Sequence, residues 1–164
     1  MANNYLLHRW NFNGSCKDLV GGNDGGMLPQ WQKLSKELGV ADKVIFHGKM
    51  YGDALKEMFD LCDVGVNALG QYTKNLSATS ELKVREYTAR GLPFLCSVED
   101  TDEPFWLRVA NDASVPDMAQ IVEFALNMRG DKTHPQRMRR YAQQHMTWES
   151  QYGPMLEMLH KRED

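Results

Sequence analysis

The apolar and polar positions of the chain change their spacing repeatedly, and these changes indicate alternating strands and helices. Short apolar runs are typical of buried strands, and apolar residues at every third or fourth position are typical of amphipathic helices. The predicted strands cover residues 5–10, 18–21, 43–47, 63–68, 92–97 and 105–110. The predicted helices cover residues 28–38, 53–62, 80–90, 115–128, 136–145 and 148–159. This alternation favours an α/β fold of the doubly wound, Rossmann-like type, with a parallel sheet covered on both faces.

Residues 80–94 carry the signals of a complete helix followed by a strand. Ser80 is a good N-cap, because its hydroxyl can accept a hydrogen bond from a free amide of the first turn. Gly91 suits the left-handed position after the last turn, and the proline that follows ends the helix. Lys83 and the first-turn amides suit a phosphate group, and Glu86 suits a pair of sugar hydroxyls. An exposed Lys83–Glu86 ion pair is the alternative interpretation.

The end of this helix carries a family signature. Residues 86–94, Glu-Tyr-Thr-Ala-Arg-Gly-Leu-Pro-Phe, resemble the Glu-Ala-Met-Ala-x-Gly-x-Pro-Val signature of GT-B glycosyltransferases, in the large retaining family called glycosyltransferase group 1. Residues 82–87 are similar to the Leu-Lys-x-x-Glu-Tyr form of that signature. The resemblance extends from about residue 18 to residue 159 and covers the C-terminal, donor-binding half of such an enzyme.

The resemblance also implies where a nucleotide sugar binds. In the family, the glutamate that matches Glu86 holds the nucleotide ribose. The predicted nucleotide-sugar-binding residues are Gly21, Gly22, Gly48, Lys49, Ser80, Leu82, Lys83 and Glu86. Family members often have another glutamate eight residues before the ribose-binding one, where this chain has Ala78. The usual contact to the donor sugar therefore departs from the family pattern, and no catalytic residue is identified.

The activity that the resemblance implies is transfer of a sugar from a nucleotide-diphosphate sugar to an acceptor hydroxyl, in polysaccharide or glycoconjugate synthesis. It implies no metal and no cofactor besides the donor substrate. The expected partner is an N-terminal acceptor domain missing from this chain, so the isolated chain should bind nucleotide weakly and turn over little. A non-catalytic Rossmann-like interaction module is the main alternative, and a sugar epimerase of the same two-domain architecture is a weaker one.

The first twenty residues differ from the helix–strand alternation that follows. Only residues 11–17 separate the first two predicted strands, fewer than the ~10–12 that a crossover containing a helix needs. Asn13-Gly14 is a two-residue hairpin signal. We therefore predict an irregular or hairpin segment at residues 1–17 and a nucleotide-sugar-binding domain at residues 18–164.

Charge and cysteine usage restrict the class of protein. The net charge of −3 argues against a nucleic-acid-binding protein with a broad basic face. No apolar run approaches the ~18–20 residues of a membrane span. The cysteines Cys16, Cys62 and Cys96 have no paired spacing, as is typical of reduced thiols, and we expect a cytoplasmic protein.

Two charged clusters leave alternatives open. The acidic run at residues 99–103 has carboxylates suited to a hard cation, but it lacks calcium-loop spacing, which favours a solvated loop. The basic residues near the C-terminus fit either a peripheral contact with anionic lipid or a solvated helix face. This basic patch consists of Arg129, Lys132, Arg137, Arg139 and Arg140.

Overall fold

The structure, a computed structural model, describes residues 7–8, 17–20, 26–67, 69–79, 81–98 and 105–160. Its strands are β1 (Leu7–His8), β2 (Lys17–Val20), β3 (Val44–Gly48), β4 (Gly65–Val66), β5 (Phe94–Cys96) and β6 (Trp106–Arg108). Its α-helices are α1 (Leu28–Glu37), α2 (Gly52–Leu61), α3 (Leu82–Arg90), α4 (Met118–Gly130), α5 (His134–His145) and α6 (Trp148–His160). Each predicted strand and helix is present, with ends shifted by a few residues, so the chain has a mixed α/β fold.

The strands form two three-stranded sheets. One has the order β1-β2-β3, with β1 antiparallel to β2 and β2 parallel to β3. The other has the order β4-β5-β6 and is parallel throughout. Cα atoms of β1 and β4 approach within 8 Å, so these strands at the edges of the two sheets are neighbours. Strand β1 is antiparallel to β2, because the short connection between these strands allows an antiparallel partner but no crossover.

The N-terminal segment was predicted to be a hairpin or irregular. Leu7 lies opposite Val20 and His8 opposite Leu19, which is the antiparallel pairing of a hairpin. The Asn13-Gly14 turn lies outside the described residues, and the division of the chain at residue 17 stays a prediction.

Helices cover both faces of the β4-β5-β6 sheet. Phe94 and Cys96 join a buried cluster with side chains of α2, α3 and α5. Leu95 joins a second cluster with β4 and α4, which contributes Ile121 and Ala125. This alternation follows the period of two in a strand, and β5 is buried on both sides, as is usual in parallel sheets. A doubly wound domain on one continuous parallel sheet stays a prediction.

The residues just before α3 and α4 explain where these two helices begin. Helix α3 is preceded by Glu81, whose extended backbone is that of an N-cap and whose side chain makes no capping hydrogen bond. The prediction of Ser80 as the N-cap is therefore wrong by one residue, and Ser80 itself lies outside the described residues. Helix α4 begins later than predicted, because the Asp117 carboxylate accepts hydrogen bonds from the amides of Ala119 (2.9 Å) and Gln120 (3.4 Å).

Tyr87, near the middle of α3, attaches this helix to β4. Its hydroxyl donates a hydrogen bond to the Val66 carbonyl at 3.2 Å. Its ring centroid lies 6.0 Å from that of Phe59 and 5.7 Å from that of Phe94. A Cβ at Gly65 would lie 3.0 Å from the Tyr87 ring, so the close approach of α3 depends on a residue without a side chain.

Gly91 ends α3 in the left-handed conformation, with φ 77° and ψ 27°, as the sequence predicted. A Cβ added there would lie 2.8 Å from the Cα and the carbonyl oxygen of Pro135 in α5. Gly39 also has a positive φ, of 66°, but a Cβ there would meet nothing within 4 Å. A side chain at residue 39 would therefore strain only the backbone, whereas a side chain at residue 91 would also collide with α5.

We predict that Gly39→Ala lowers the free energy of unfolding by about 1–2 kcal/mol, the usual cost of a left-handed L-residue. Gly91→Ala should cost about 1–3 kcal/mol more, because the new methyl group also displaces the backbone of α5. Urea unfolding of both variants and the wild type measures the difference. Equal losses would mean that α5 moves away from residue 91 without cost.

We also predict that Tyr87→Phe lowers the free energy of unfolding by about 1–3 kcal/mol, because it leaves the buried Val66 carbonyl without its donor. Tyr51→Phe is the matched control, since Tyr51 is 74% exposed, and it should change little. Equal effects of the two substitutions in urea unfolding would contradict a structural role of this hydrogen bond.

The difference in unfolding free energy between Tyr87→Phe and the wild type should depend on pH. Burial raises the pKa of the Tyr87 phenol above its ordinary value, so the unfolded chain loses this proton first as the pH rises. The resulting stability is complete below a pH of about 10 and is lost above it. Tyr87→Phe lacks this phenol, so its deficit in unfolding free energy should shrink above that pH.

Candidate functional site

The candidate site lies at the carboxyl edge of the β4-β5-β6 sheet. Helix α3 connects β4 to the parallel strand β5, so its first turn lies at the carboxyl ends of these strands. Asn67 directly follows β4, and Asn111 follows β6. Ligands of open α/β sheets bind outside this edge. The described residues of this region are therefore the first place to look for unused polar groups.

Two buried amide side chains at this edge have an acceptor without a donor. Asn67 is 3% exposed, and its Nδ2 donates to the Cys96 Sγ at 3.6 Å. Gln71 is 5% exposed, and its Nε2 donates to the Glu81 Oε1. Within the described residues, Asn67 Oδ1 and Gln71 Oε1 accept no hydrogen bond. Such a buried acceptor costs about 1–3 kcal/mol, which a ligand or water that donates a hydrogen bond would remove.

Asn111 connects two loops at the same edge. Its Nδ2 donates to the Leu76 carbonyl at 2.9 Å, which joins the segment after β6 to the segment before α3. Its Oδ1 is buried and has no hydrogen-bond partner among the described residues. The loops at this edge therefore hold three buried amide oxygens without a hydrogen-bond donor among the described residues.

Lys83 provides the positive charge of the site. It is half-buried in the first turn of α3, and burial lowers the pKa of its ammonium group, while Glu81 opposes this shift. Its Nζ makes no hydrogen bond or ion pair with any residue that the structure describes. A partly desolvated ammonium group gains most from an anionic partner, and the free amides of the first helical turn attract the same kind of ligand.

Glu86 has a partner other than the one expected. Arg90 donates to the Glu86 Oε1 through Nε at 3.2 Å and Nη2 at 3.1 Å, and both side chains are about one-third exposed. The alternative of a Lys83–Glu86 ion pair is therefore wrong. The Arg90 guanidinium also lies 4.1 Å from the centroid of the Phe59 ring. Both hydrogen bonds end on Oε1, so within the described residues Oε2 remains able to accept.

The other predicted site residues lie on α3, at the end of β3, or outside the described ranges. Leu82 is the first residue of α3 and is 57% exposed, so it lies beside Lys83 and on the same helix as Glu86. Gly48 ends β3 with a φ of 73°, and the exposed Lys49 follows it, at the end of a strand in the other sheet. The remaining residues, Gly21, Gly22 and Ser80, lie outside the described ranges.

The sequence analysis missed the buried amides. Asn67 had a recognisable signal, because it is a polar residue at the end of the apolar run Val64-Gly65-Val66. Gln71 had none, since it lies in a polar stretch between the strand predicted at residues 63–68 and the helix predicted at residues 80–90. In the structure, residues Gln71–Lys74 form a 3-10 helix, in which Gln71 is buried.

No group of three or more His, Cys, Asp or Glu side chains in the described ranges could hold a metal ion. The acidic run at residues 99–103 lies outside those ranges. None of the described helices has both the length and the apolar character that crossing a membrane requires.

Comparison with known proteins identifies no relative. No family model, curated protein or solved structure matches the chain. The functional assignment of this chain therefore depends on its own residues and on the geometry of the carboxyl edge.

Proposed function

We propose that this chain is the donor-binding domain of a retaining glycosyltransferase that uses a nucleotide-diphosphate sugar. The observation that carries the proposal is the half-buried Lys83 ammonium in the first turn of α3, without an anionic partner among the described residues. A helix N-terminus with an adjacent cation is suited to a diphosphate. The resemblance at residues 82–94 supports the same assignment, since it includes Lys83 and Glu86.

The proposed chemistry is mainly electrostatic. The glycosidic bond between the anomeric carbon and the diphosphate breaks, and the acceptor hydroxyl forms the new bond and releases its proton. Lys83 and the first-turn amides of α3 stabilise the negative charge that develops on the leaving diphosphate. Leu82 and Ser80 lie in the same segment, and Glu86 holds the ribose through Oε2. Gly21, Gly22, Gly48 and Lys49 complete the nucleotide-sugar site.

Besides the positive charge of Lys83, the carboxyl edge contains amide oxygens that can accept hydrogen bonds. Asn67 Oδ1 and Gln71 Oε1 are acceptors, so they suit a ligand that brings several hydroxyl donors. A sugar attached to a diphosphate has both groups that the edge lacks, an anion for Lys83 and hydroxyls for the amides. An acceptor-binding partner domain supplies the rest of the catalytic site, so the chain alone binds nucleotide weakly and turns over little.

A second candidate function is a non-catalytic Rossmann-like interaction module. The observation that favours it is the exposed apolar surface of α6, where Trp148 is 74% exposed and Met158 65% exposed. The Trp148 and Tyr152 rings stack with centroids 5.3 Å apart. Exposed apolar surface of this kind is typical of protein contacts. Such a surface fits an acceptor-binding partner domain as well as an unrelated partner, so nucleotide binding has to distinguish the two functions.

We predict that Lys83→Met weakens UDP, GDP or ADP, whichever binds the wild type, by roughly tenfold or more, the loss of one charge-assisted hydrogen bond. The matching nucleoside should be affected less, because it has no phosphate. Folding stability should be unchanged or higher, since the substitution removes a desolvated charge and keeps an apolar stem. Isothermal titration calorimetry measures the affinities, and thermal unfolding measures stability.

Lys36→Met is the matched control, because Lys36 is exposed on α1. It should leave all affinities unchanged. Equal weakening of nucleotide and nucleoside by Lys83→Met would exclude a phosphate contact. If none of the three nucleotides binds the wild-type chain at millimolar concentration, the interaction module becomes the better assignment.

We predict that Glu86→Gln lowers nucleotide affinity by roughly tenfold, because the ribose hydroxyls lose a charged acceptor. The 2′,3′-dideoxy nucleotide should lose less. Stability should change by only about 0.3–0.5 kcal/mol, as expected for a partly exposed pair four residues apart in a helix.

Glu37→Gln removes the equivalent acid of the exposed Lys33–Glu37 pair and serves as the control for the loss of such a pair. It should leave nucleotide binding unchanged. If Glu86→Gln affected the ribose and dideoxyribose ligands equally and lowered the melting temperature, Glu86 would be a structural partner of Arg90 instead.

A further inference from the structure

A cleft of about 390 Å³ lies at the opposite end of the β4-β5-β6 sheet from Lys83. Asp63, which precedes β4, and Pro93, which precedes β5, both line it. Arg90, the last residue of α3, lines it as well. Because α3 runs against the direction of the strands, its two ends lie at opposite edges of the sheet. The cleft is therefore separate from the proposed nucleotide-sugar site.

One wall of the cleft carries three cations that have no carboxylate partner among the described residues. Lys132 Nζ donates to the Arg129 carbonyl at 3.2 Å, and Arg139 Nη2 donates to the Arg90 carbonyl at 2.9 Å. Across the part of the chain that the structure describes, the Arg129 guanidinium makes no hydrogen bond or ion pair. Neutral carbonyls leave these charges uncompensated, so an anion that enters the cleft meets all three.

The fourth cation of the cleft, Arg90, and the Asp131 carboxylate are already paired. Arg90 is held by Glu86, as described above. Asp131 accepts hydrogen bonds from the Thr133 amide at 2.8 Å and from its hydroxyl at 2.7 Å, and it forms an ion pair with Arg137 at 2.6 Å. These hydrogen bonds with Thr133 lower the pKa of the Asp131 carboxyl group. Asp131 is therefore not available to neutralise Arg129, Lys132 or Arg139.

The opposite wall has a different charge. Asp60, at the end of α2, and Asp63, which follows it, line the cleft and form no ion pair with the residues that the structure describes. Carboxylates accept hydrogen bonds from hydroxyl and ammonium groups. The first turn of α5, at His134 and Pro135, also lines the cleft and adds the positive end of a helix dipole to the cationic wall.

We propose that this cleft binds a small phosphate-bearing molecule that also carries hydroxyl or amino groups. Arg129, Lys132 and Arg139 bind the phosphate, and Asp60 and Asp63 accept hydrogen bonds from the rest of the ligand. The volume of the cleft lies within the range of small-molecule sites in proteins. The cleft lies at the end of α3 that is farther from Lys83. A ligand bound there therefore leaves the proposed donor site unchanged.

Site-resolved NMR with inorganic pyrophosphate as the probe tests this. On ¹⁵N-labelled protein, we expect saturable amide shifts at residues 129–139, separate from any shifts at residues 81–86. Arg129→Ala should weaken the response at 129–139 by about tenfold, the loss of a charge-assisted hydrogen bond. Arg129 is exposed, so this variant should fold normally. Lys83→Met should leave the response at 129–139 unchanged.

Asp60→Asn is the control of opposite sign. It removes a negative charge from the facing wall, so bare pyrophosphate should bind more tightly. Weakening by Asp60→Asn as much as by Arg129→Ala would overturn the proposal, as would the absence of saturable shifts at 129–139. Binding to vesicles of phosphatidylglycerol without a response to pyrophosphate would also overturn it, because the basic wall would then be a lipid-contacting surface.

Discussion

The contact of Tyr87 with β4 is the interaction on which the rest of the structure depends. Its ring occupies the space that the missing side chain of Gly65 leaves, and its hydroxyl satisfies the Val66 carbonyl. The same ring lies next to Phe59 and Phe94, so one side chain joins α2, α3, β4 and β5. This contact sets the rotation of α3 about its axis, and therefore which residues of the helix face the sheet and which remain outside it.

With Tyr87, Val84 and Thr88 buried, Lys83 and Glu86 lie on a part of α3 that stays half-exposed. Lys83 then sits in the first turn, at the carboxyl edge of the parallel strands, where helix amides and buried amide oxygens also occur. The packing of α3 partly buries the Lys83 ammonium group, and this burial disfavours its charged form. A residue that weakens the unliganded domain and would strengthen its complex with an anion is characteristic of binding sites.

Helix α3 also separates two regions of different chemistry. Its first turn belongs to the proposed donor site, and its last residue, Arg90, belongs to the cleft on the other side of the sheet. The Glu86–Arg90 pair lies along the helix between them. Charge alone therefore does not identify the proposed nucleotide site, since cations without a carboxylate partner among the described residues lie near both ends of the same helix.

The order and type of the elements could be predicted from the sequence, with their ends correct to within a few residues. Periodicity and residues such as Gly91 act within a few positions of the chain, so helices, strands and the α3 C-cap could be predicted, together with Lys83 in the first turn. The packed structure was needed to choose between the hairpin and the irregular segment predicted around β1, and to show that Glu86 pairs with Arg90. It also showed that Asn67 and Gln71 are buried without a donor for their oxygens among the described residues. The choice among neighbouring charges and the burial of a loop side chain depend on which distant segments pack together, and residue spacing carries no information on that.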